Sequence, residues 1–390
     1  MTVLPAEAPS RAAPLARPRV LHVVRQFWPN RGGLEDVVRH LCAEQIRAGI
    51  DARVLTLDRL FRDPGTVLPA VDAVDGIPVA RIPFRGSTRY PLAPGFLRHL
   101  AEADIVHVHA IDSFFDALAL TRPLHRKPLV ATTHGGFFHT HAFSGLKGLW
   151  FRGPTRLSCR AYGAIVGCSD SDARTFSRVA PGKVRTILNG VDLAKFAGAS
   201  SPVPVRRIVT LGRFSDNKRL DRPLAVMAES RARDPGWHLD VVGVESDWSA
   251  DRLRGAIGAA GLSGAVEVWV GLDDAAVAQV MRRATFFASA SDYEGFGLAL
   301  IEALSAGLVP LVQPNAAFAA VAANHPEVAL VDFGDAPATA AAFEDAFRRL
   351  AAAPGGLPAP DLSRYAWPEV AARYAAVYAA CCPGFPPRAA

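Results

Sequence analysis

Short apolar runs alternate with amphipathic helical stretches along this chain, stop, and then start again. This pattern constrains its 390 residues more than any other feature. The first series opens with RVLHVV (Arg19–Val24), a run of the kind buried on both faces of a parallel sheet. A loop holding Gly32 and Gly33 follows. Leu34–Ala48 then has a helical pattern with Val37, Val38 and Leu41 on its apolar face, and Gly49 ends it. ARVLTL (Ala52–Leu57), DIVHVHA (Asp104–Ala110), PLVATTH (Pro128–His134) and AIVGCS (Ala164–Ser169) read as further strands with helical segments between them. After the Ser/Pro/Gly stretch Gly198–Val205 the alternation restarts, with strands at Arg207–Arg213, His238–Val244, Ala265–Gly271, Ala284–Ala290 and Leu308–Gln313. Alternation of this kind specifies a doubly wound parallel sheet, and its restart specifies two of them: an α/β chain of two Rossmann-like domains. The expected boundaries are a disordered leader at 1–18, a first domain at 19–198, a second at 199–363, a helix at 364–382 and a tail at 383–390. Tyr365, Trp367, Tyr374 and Tyr378 supply the packing of that last helix.

Composition narrows the function. Hydrophobic residues make up 50% of the chain and charged residues 21%, which excludes an intrinsically disordered protein. Five cysteines form no CxxC pair, so neither a disulfide framework nor a zinc ribbon fits. The Pro/Ala-rich leader has no apolar core of signal-peptide length, and no run is long enough to span a bilayer, so the expectation is a soluble or peripheral protein. The formal charge of +6 hides an asymmetry. Residues 1–200 carry 26 Lys/Arg against 16 Asp/Glu, and residues 201–390 carry 17 against 21. A basic first domain suits an anionic partner.

Four loops carry chemistry. DYEGFGLALIEALSAGLVPLV (Asp292–Val312) puts Glu294 after a strand, Gly295, Phe296 and Gly297 before a helix, and Glu302 inside that helix. Free amides and the helix dipole there favour a diphosphate, and Glu302 has the chemistry to accept hydrogen bonds from a ribose diol. LGRFSDNKRL places Arg213 and Lys218 five residues apart around a turn after the first strand of the second domain, where both can meet one diphosphate. In the first domain, Gly32 and Gly33 open the first helix, and THGGFFHT puts His134 at a strand end beside Gly135 and Gly136.

These loops, in this order, resemble the retaining GT-B glycosyltransferases of the group 1 family, over about residues 19–382. HVVRQFWPNRGGLEDVV, GSTRYPLAP, LALTRPLHRKPLV, THGGFFHT and EGFGLALIEALSAGLVP look most like the subgroup that moves mannose from GDP-mannose to cellobiosyl-diphosphopolyprenol in xanthan and acetan synthesis. The resemblance implies two domains facing across a cleft, acceptor on the first and nucleotide sugar on the second, with the last helix packing back toward the first domain. It implies that Arg213 and Lys218 neutralise the departing diphosphate, and that Glu294 with Gly295–Gly297 contacts the diphosphate and sugar. Glu302 would bind ribose, Gly33 would approach the phosphates and His134 would contact the sugar. It further implies retention by same-face attack without a protein nucleophile, and a place at the cytoplasmic face of the inner membrane.

No metal is expected. Asp170-Ser171-Asp172 has a D-x-D spacing but opens a helix, where such residues cap. His134, His139 and His141 lack the spacing and partners of a zinc site. Arg81–Leu100 and Phe137–Arg160 mix cations with Phe, Leu, Tyr and Trp and are the candidate contacts with an anionic membrane. Other functions fit less well. A Rossmann oxidoreductase needs GxGxxG early, and only RGGLED is present. An exported sugar-binding protein needs a signal. A nucleic-acid binder needs a recognition module, and none is readable. A UDP-hexose-dependent relative stays open, because the loop near Ala265–Asp274 that would meet the base has no readable code.

Overall fold

The computed structural model describes residues 17–134, 149–352 and 359–385. All of the expected leader but residues 17 and 18 therefore lies outside the described residues, as do Gly135, Gly136, His139, His141, the first half of 137–160 and the last five residues of the tail. Contacts between Cα atoms divide the chain into two units. Unit 1 takes residues up to Val166, Arg174–Arg185 and Ala371 onward; unit 2 takes Gly167–Ala173 and Thr186–Val370.

Unit 1 is built on an eight-stranded sheet of order β10-β9-β8-β7-β1-β2-β6-β5. Its strands are β1 (Arg19–Val23), β2 (Asp51–Leu57), β5 (Val71–Val74), β6 (Ile77–Ile82), β7 (Ile105–His109), β8 (Leu129–Thr132), β9 (Ala164–Gly167) and β10 (Val184–Thr186). Strands β7, β8 and β9 are buried at every residue and β1 at all but its first, as covering both faces of a parallel sheet requires. The helix Gly33–Arg47 buries Val37, Val38, Leu41 and Cys42.

The stretch 58–104, expected to hold helix, has only the short 3-10 helix Pro94–His99 and is built mainly of two antiparallel hairpins. One pairs β3 (Arg59–Leu60) with β4 (Asp63–Val67), and the other pairs β5 with β6. Asp75 and Gly76 turn the second hairpin, both at positive φ, so an Asp-Gly turn and not a crossover helix sets the topology here. Strand β5 thus closes the sheet with one antiparallel edge.

Unit 2 has a six-stranded, all-parallel sheet of order β13-β12-β11-β14-β15-β16. The strands are β11 (Arg207–Leu211), β12 (His238–Gly243), β13 (Val266–Val270), β14 (Phe286–Ser289), β15 (Val309–Val312) and β16 (Ala329–Leu330). Helices flank it, and Trp237, Phe286, Phe333 and Phe343 share one of its buried clusters. Val191 and Phe196, from the segment before the Ser/Pro stretch, sit in another unit 2 cluster with Tyr365. The final helix, Trp367–Cys381, gives its residues from Ala371 onward to unit 1, where Tyr374 and Tyr378 are buried.

Candidate active site

Loops at the carboxyl ends of β11, β12 and β14 converge in unit 2, where doubly wound sheets bind ligands. The loop after β11 runs beside the loop after β12: Phe214 N donates to Val244 O at 2.8 Å, and a β-carbon on Gly243 would fall onto the Gly212 carbonyl. Gly212 itself has φ +143°, and a β-carbon there would come within 3.0 Å of Lys218 Cε. The absence of side chains at both positions lets the Lys218 tail lie across the strand end.

Lys218 Nζ meets Glu294 Oε1 at 2.6 Å, so these two expected site residues are brought together. The β11 and β14 loops are tied on either side of that pair. Asn217 Nδ2 donates to Tyr293 O at 2.7 Å, Asp292 N donates to Asn217 O at 3.1 Å, and Arg219 and Arg222 both hold the Asp292 carboxylate. Arg213 is exposed and has no side-chain hydrogen bond or ion pair among the described residues. One cation is therefore already countered by a carboxylate, and the other faces solvent uncompensated.

Helix Leu298–Ala306 starts immediately after the Gly-Phe-Gly turn. Its N-cap, Gly297, has φ +87°, offers no capping side chain and packs so that a β-carbon would press on Phe318 at 3.1 Å. With no acidic residue in its first turn either, its first amides and positive dipole end are left for an anion. Gly295 faces open space, while half-buried Phe296 packs edge-on against Tyr365. Glu302 already has a cationic partner: its carboxylate holds Lys195 Nζ at 3.3 Å, and Lys195 also holds Asp274 at 2.9 Å. Burial raises the Glu302 pKa, and Lys195 works against that rise. Lys195 and Asp274 went unnoticed in the sequence, since 107 residues separate Lys195 from its glutamate.

In unit 1, Gly32 caps the helix Gly33–Arg47 in extended conformation. A β-carbon there would strike Glu35 Oε2 at 2.7 Å, whereas Gly33 has nothing within 4 Å. Glu35 folds back to accept from Asn30 Nδ2 at 2.7 Å. His134 follows β8 in the left-handed region at φ +51°, and Ala110 follows β7 at φ +81°. Two non-glycine residues in that region on adjacent strand ends store backbone strain where a site is expected. Nearby in sequence, Asp112 caps the helix Ser113–Leu120 and pairs with Arg25 at 2.7 Å. Burial lifts Asp112 to a pKa of about 6 against the pull of Arg25.

Beneath His134 lies a layer of imidazoles that sequence reasoning did not foresee. His22 on β1 is the register partner of His107 on β7, and His109 lies two residues further on the same face. His22 Nε2 donates to Gln45 Oε1 at 2.7 Å, His22 Nδ1 and His109 Nε2 are 2.9 Å apart, and His109 Nδ1 and His134 Nε2 are 2.9 Å apart. His107 lies between Tyr378 OH (2.7 Å) and Thr132 Oγ1 (2.8 Å). Burial lowers His22 and His134 to pKa values of about 4 and pushes His107 and His109 well below the usual range, so the layer is neutral. His22, His107 and His109 bring ligand-type nitrogens within 4.8 Å, the one such group of three among the described residues, yet every one of those nitrogens already has a hydrogen-bond partner.

The D-x-D residues open the helix Asp170–Ser177, where Asp172 N donates to Ser169 Oγ at 3.2 Å. A cavity of about 350 Å³ in unit 1 lies at the opposite, amino-terminal edge of the sheet, beside Arg19, Asp51 and Arg53, away from these loops. Of the proposed membrane segments, Arg81 is buried against Asp72 and Phe96 and Leu100 are core, while Arg85, Arg89, Tyr90, Leu92, Leu97 and Arg98 are exposed. In the second segment Leu149 (70%), Trp150 (45%) and Leu157 (64%) stand exposed among Arg152, Arg156 and Arg160.

Two Rossmann-like sheets, with glycine loops and a Lys–Glu pair at their carboxyl edges, define a GT-B architecture. Sucrose-phosphate synthase from Thermosynechococcus elongatus shares that fold, with a TM-score of 0.68 and 19% identity, over 93% of this chain and 98% of its own. Residues 31–195 match Glycosyltransferase Family 4 and residues 195–349 match Glycosyl transferases group 1. The GDP-mannose:cellobiosyl-diphosphopolyprenol alpha-mannosyltransferase of Komagataeibacter xylinus is 46% identical over 364 residues, 92% of each chain. The Xanthomonas oryzae pv. oryzae enzyme of the same name is 43% identical over 316 residues, 80% of this chain and 83% of its own. The chain belongs to the group 1 glycosyltransferase family.

Proposed function

We propose that the chain transfers an α-mannosyl residue from GDP-mannose to a cellobiosyl-diphosphopolyprenol during exopolysaccharide repeat-unit assembly. The likeness to mannosyltransferases of that name along nearly the whole chain carries the choice of donor and acceptor. The geometry supports the chemistry. Cleavage of a sugar–phosphate bond develops an oxocarbenium-like sugar and an anionic diphosphate, so preorganised positive charge aimed at the leaving group is the main requirement. Arg213, Lys218 and the uncapped amides after Gly297 supply it from one end of the unit 2 sheet. A diphosphate arriving there shares Lys218 with Glu294, which then holds the ammonium in place and faces the transferred sugar. Glu302, kept oriented by Lys195, takes the ribose hydroxyls.

In unit 1, a neutral His134 is the residue proposed to meet the sugar, without adding positive charge near the developing cation. Transfer proceeds with retention: the departing phosphate oxygen accepts the acceptor hydroxyl's proton on the face the hydroxyl attacks, and no protein nucleophile takes part. Metal-independent catalysis fits a site whose cations come from side chains. No helix among the described residues is long and apolar enough to cross a membrane, and the exposed Leu/Trp/Arg surface of unit 1 supports peripheral docking on the anionic cytoplasmic face of the inner membrane. Incubation with polyprenyl-diphosphate cellobiose and radiolabelled GDP-mannose, and separately UDP-glucose, tests the donor. Label should move from GDP-mannose. Transfer from UDP-glucose alone overturns the mannosyl reading in favour of a UDP-hexose enzyme.

A further inference from the structure

We infer that Gln45, two rings removed from His134, sets which nitrogen of His134 carries the proton and so acts as a positioning residue for the sugar-binding imidazole. The inference rests on the placement of His134 beside the sugar proposed above.

The logic is one of donors and acceptors. A carbonyl oxygen can only accept, so Gln45 Oε1 at 2.7 Å fixes the His22 proton on Nε2. A neutral His22 then offers only a lone pair at Nδ1, and His109 must donate to it from Nε2. His109 is left with a lone pair at Nδ1, so His134 must donate from Nε2. The remaining His134 nitrogen, Nδ1, is then a bare acceptor, and it carries no hydrogen bond among the described residues. Each inner ring passes on one proton direction, so the order at the first ring dictates the order at the last.

The orientation of the amide is coupled to a second chain of hydrogen bonds. Gln45 Nε2 donates to Tyr378 OH at 3.1 Å, Tyr378 donates onward to His107 Nδ1 at 2.7 Å, and His107 Nε2 donates to Thr132 at 2.8 Å. A reversed amide would have to reverse both chains at once. His22, Gln45, His107 and His109 are each buried to 1% exposure or less, so no solvent rescues a mismatched nitrogen. The result is a His134 Nδ1 lone pair that takes a hydrogen bond from a sugar hydroxyl and presents no N–H to a sugar gaining positive charge.

Nitrogen-15 spectra of histidine-labelled protein at neutral pH test this directly, with His134 assigned by its loss in His134→Asn. Wild type should show His22, His109 and His134 all protonated at Nε2, with a bare Nδ1 on His134. Gln45→Leu, or His22→Phe if the first variant does not fold, should convert His134 to a mixture of tautomers. The same variant should lower kcat with GDP-mannose about tenfold while leaving the KM for GDP-mannose within about twofold, because the diphosphate loop lies in unit 2. A wild-type His134 protonated at Nδ1, or one unaltered by both variants, overturns the inference whatever the enzyme transfers. Wild-type turnover by His134→Asn instead overturns the sugar-contact reading, and with it the role assigned to Gln45, while leaving the tautomer order standing as a structural fact.

Discussion

Replacing Lys218 by Met separates what the Lys218–Glu294 pair does for the fold from what it does for the reaction. The two side chains meet at 2.6 Å and are only 19% and 16% exposed. Removing the ammonium leaves a carboxylate largely out of water without its partner. A fully buried orphan costs about 3–5 kcal/mol, and partial access to solvent brings this to about 2 kcal/mol. For a unit of this size that is a fall in Tm of about 4–8 °C. The catalytic loss should be larger in kind. One preorganised group aimed at a leaving anion contributes about 10²–10³ in kcat, or about 3–4 kcal/mol. Lys218→Met should therefore lose at least a hundredfold in kcat with GDP-mannose and a few degrees of Tm. The double variant Lys218→Met/Glu294→Gln removes the stranded charge as well, so it should regain most of the stability and none of the rate. Thermal unfolding and steady-state transfer on the same three proteins decide it. A Lys218→Met enzyme within about threefold of wild-type kcat/KM, or a double variant that recovers turnover, refutes the assignment of Lys218 to the leaving group.

Gly243→Ala puts a methyl group on the Gly212 carbonyl, where only backbone movement relieves the overlap. It should cost at least about 3 kcal/mol in urea unfolding and weaken GDP binding, whereas Gly255→Ala, in open space within the helix Ala250–Ala259, should gain about 0.5–1 kcal/mol. Acid should destabilise unit 1 steeply. His22 and His134, at about 4, and His107 and His109, still lower, stay neutral in the fold but bind protons below about 6.5 once unfolded, so stability is full above about 6.5 and falls as pH drops toward 4. Asp112, raised to about 6, opposes this by one proton, because its ionisation above that pH costs the fold. A net uptake of about three protons on unfolding corresponds to a slope of about 4 kcal/mol per pH unit, and a flat denaturation midpoint between pH 6.5 and 5 would contradict a neutral layer. Sedimentation with anionic liposomes should be reversed by high salt, and equal pelleting with neutral vesicles would count against docking through the unit 1 arginines.

Much of the fold was legible because parallel strands covered on both faces must be apolar throughout. RVLHVV, PLVATTH and ATFFASA announce themselves by composition alone. The hairpins at 59–82 carry the opposite signature. Val67 and Val71 are exposed on an edge, so apolar residues there mark no core, and the deciding signal was the Asp75-Gly76 pair, which the helical expectation passed over. The loops of the site were legible as glycines and charges at strand ends. Their pairings were not. Lys218 meets Glu294 across 76 residues and Lys195 meets Glu302 across 107, distances over which sequence spacing carries no geometric information. The imidazole layer was the least visible part. His107 and His109 stand at a period of two in an otherwise apolar strand, which reports one face, but only the pairing of β1 with β7 puts His22 on that face beside them.

The charge asymmetry gains a physical meaning from these pairings. In unit 2 most cations around the sheet are spent internally: Arg206 on Asp234 and Glu344, Arg207 and Arg283 on Asp240 and Glu267, Arg219 and Arg222 on Asp292. A mildly acidic domain proposed to bind an anion needs its attraction focused, and Arg213, exposed and unpaired among the described residues in the loop that also carries Lys218, would focus it there. In unit 1 Arg19, Arg25, Arg39, Arg53 and Arg81 are spent on carboxylates in the same way. Arg85, Arg98, Arg126, Arg152, Arg156 and Arg160 are exposed without an ion pair among the described residues, and Leu149, Trp150 and Leu157 stand near the last three in sequence. Dispersed cations of this kind, interleaved with apolar side chains, would suit the extended anionic surface proposed above better than a single bound phosphate, because each would contribute about 1 kcal/mol near such a surface.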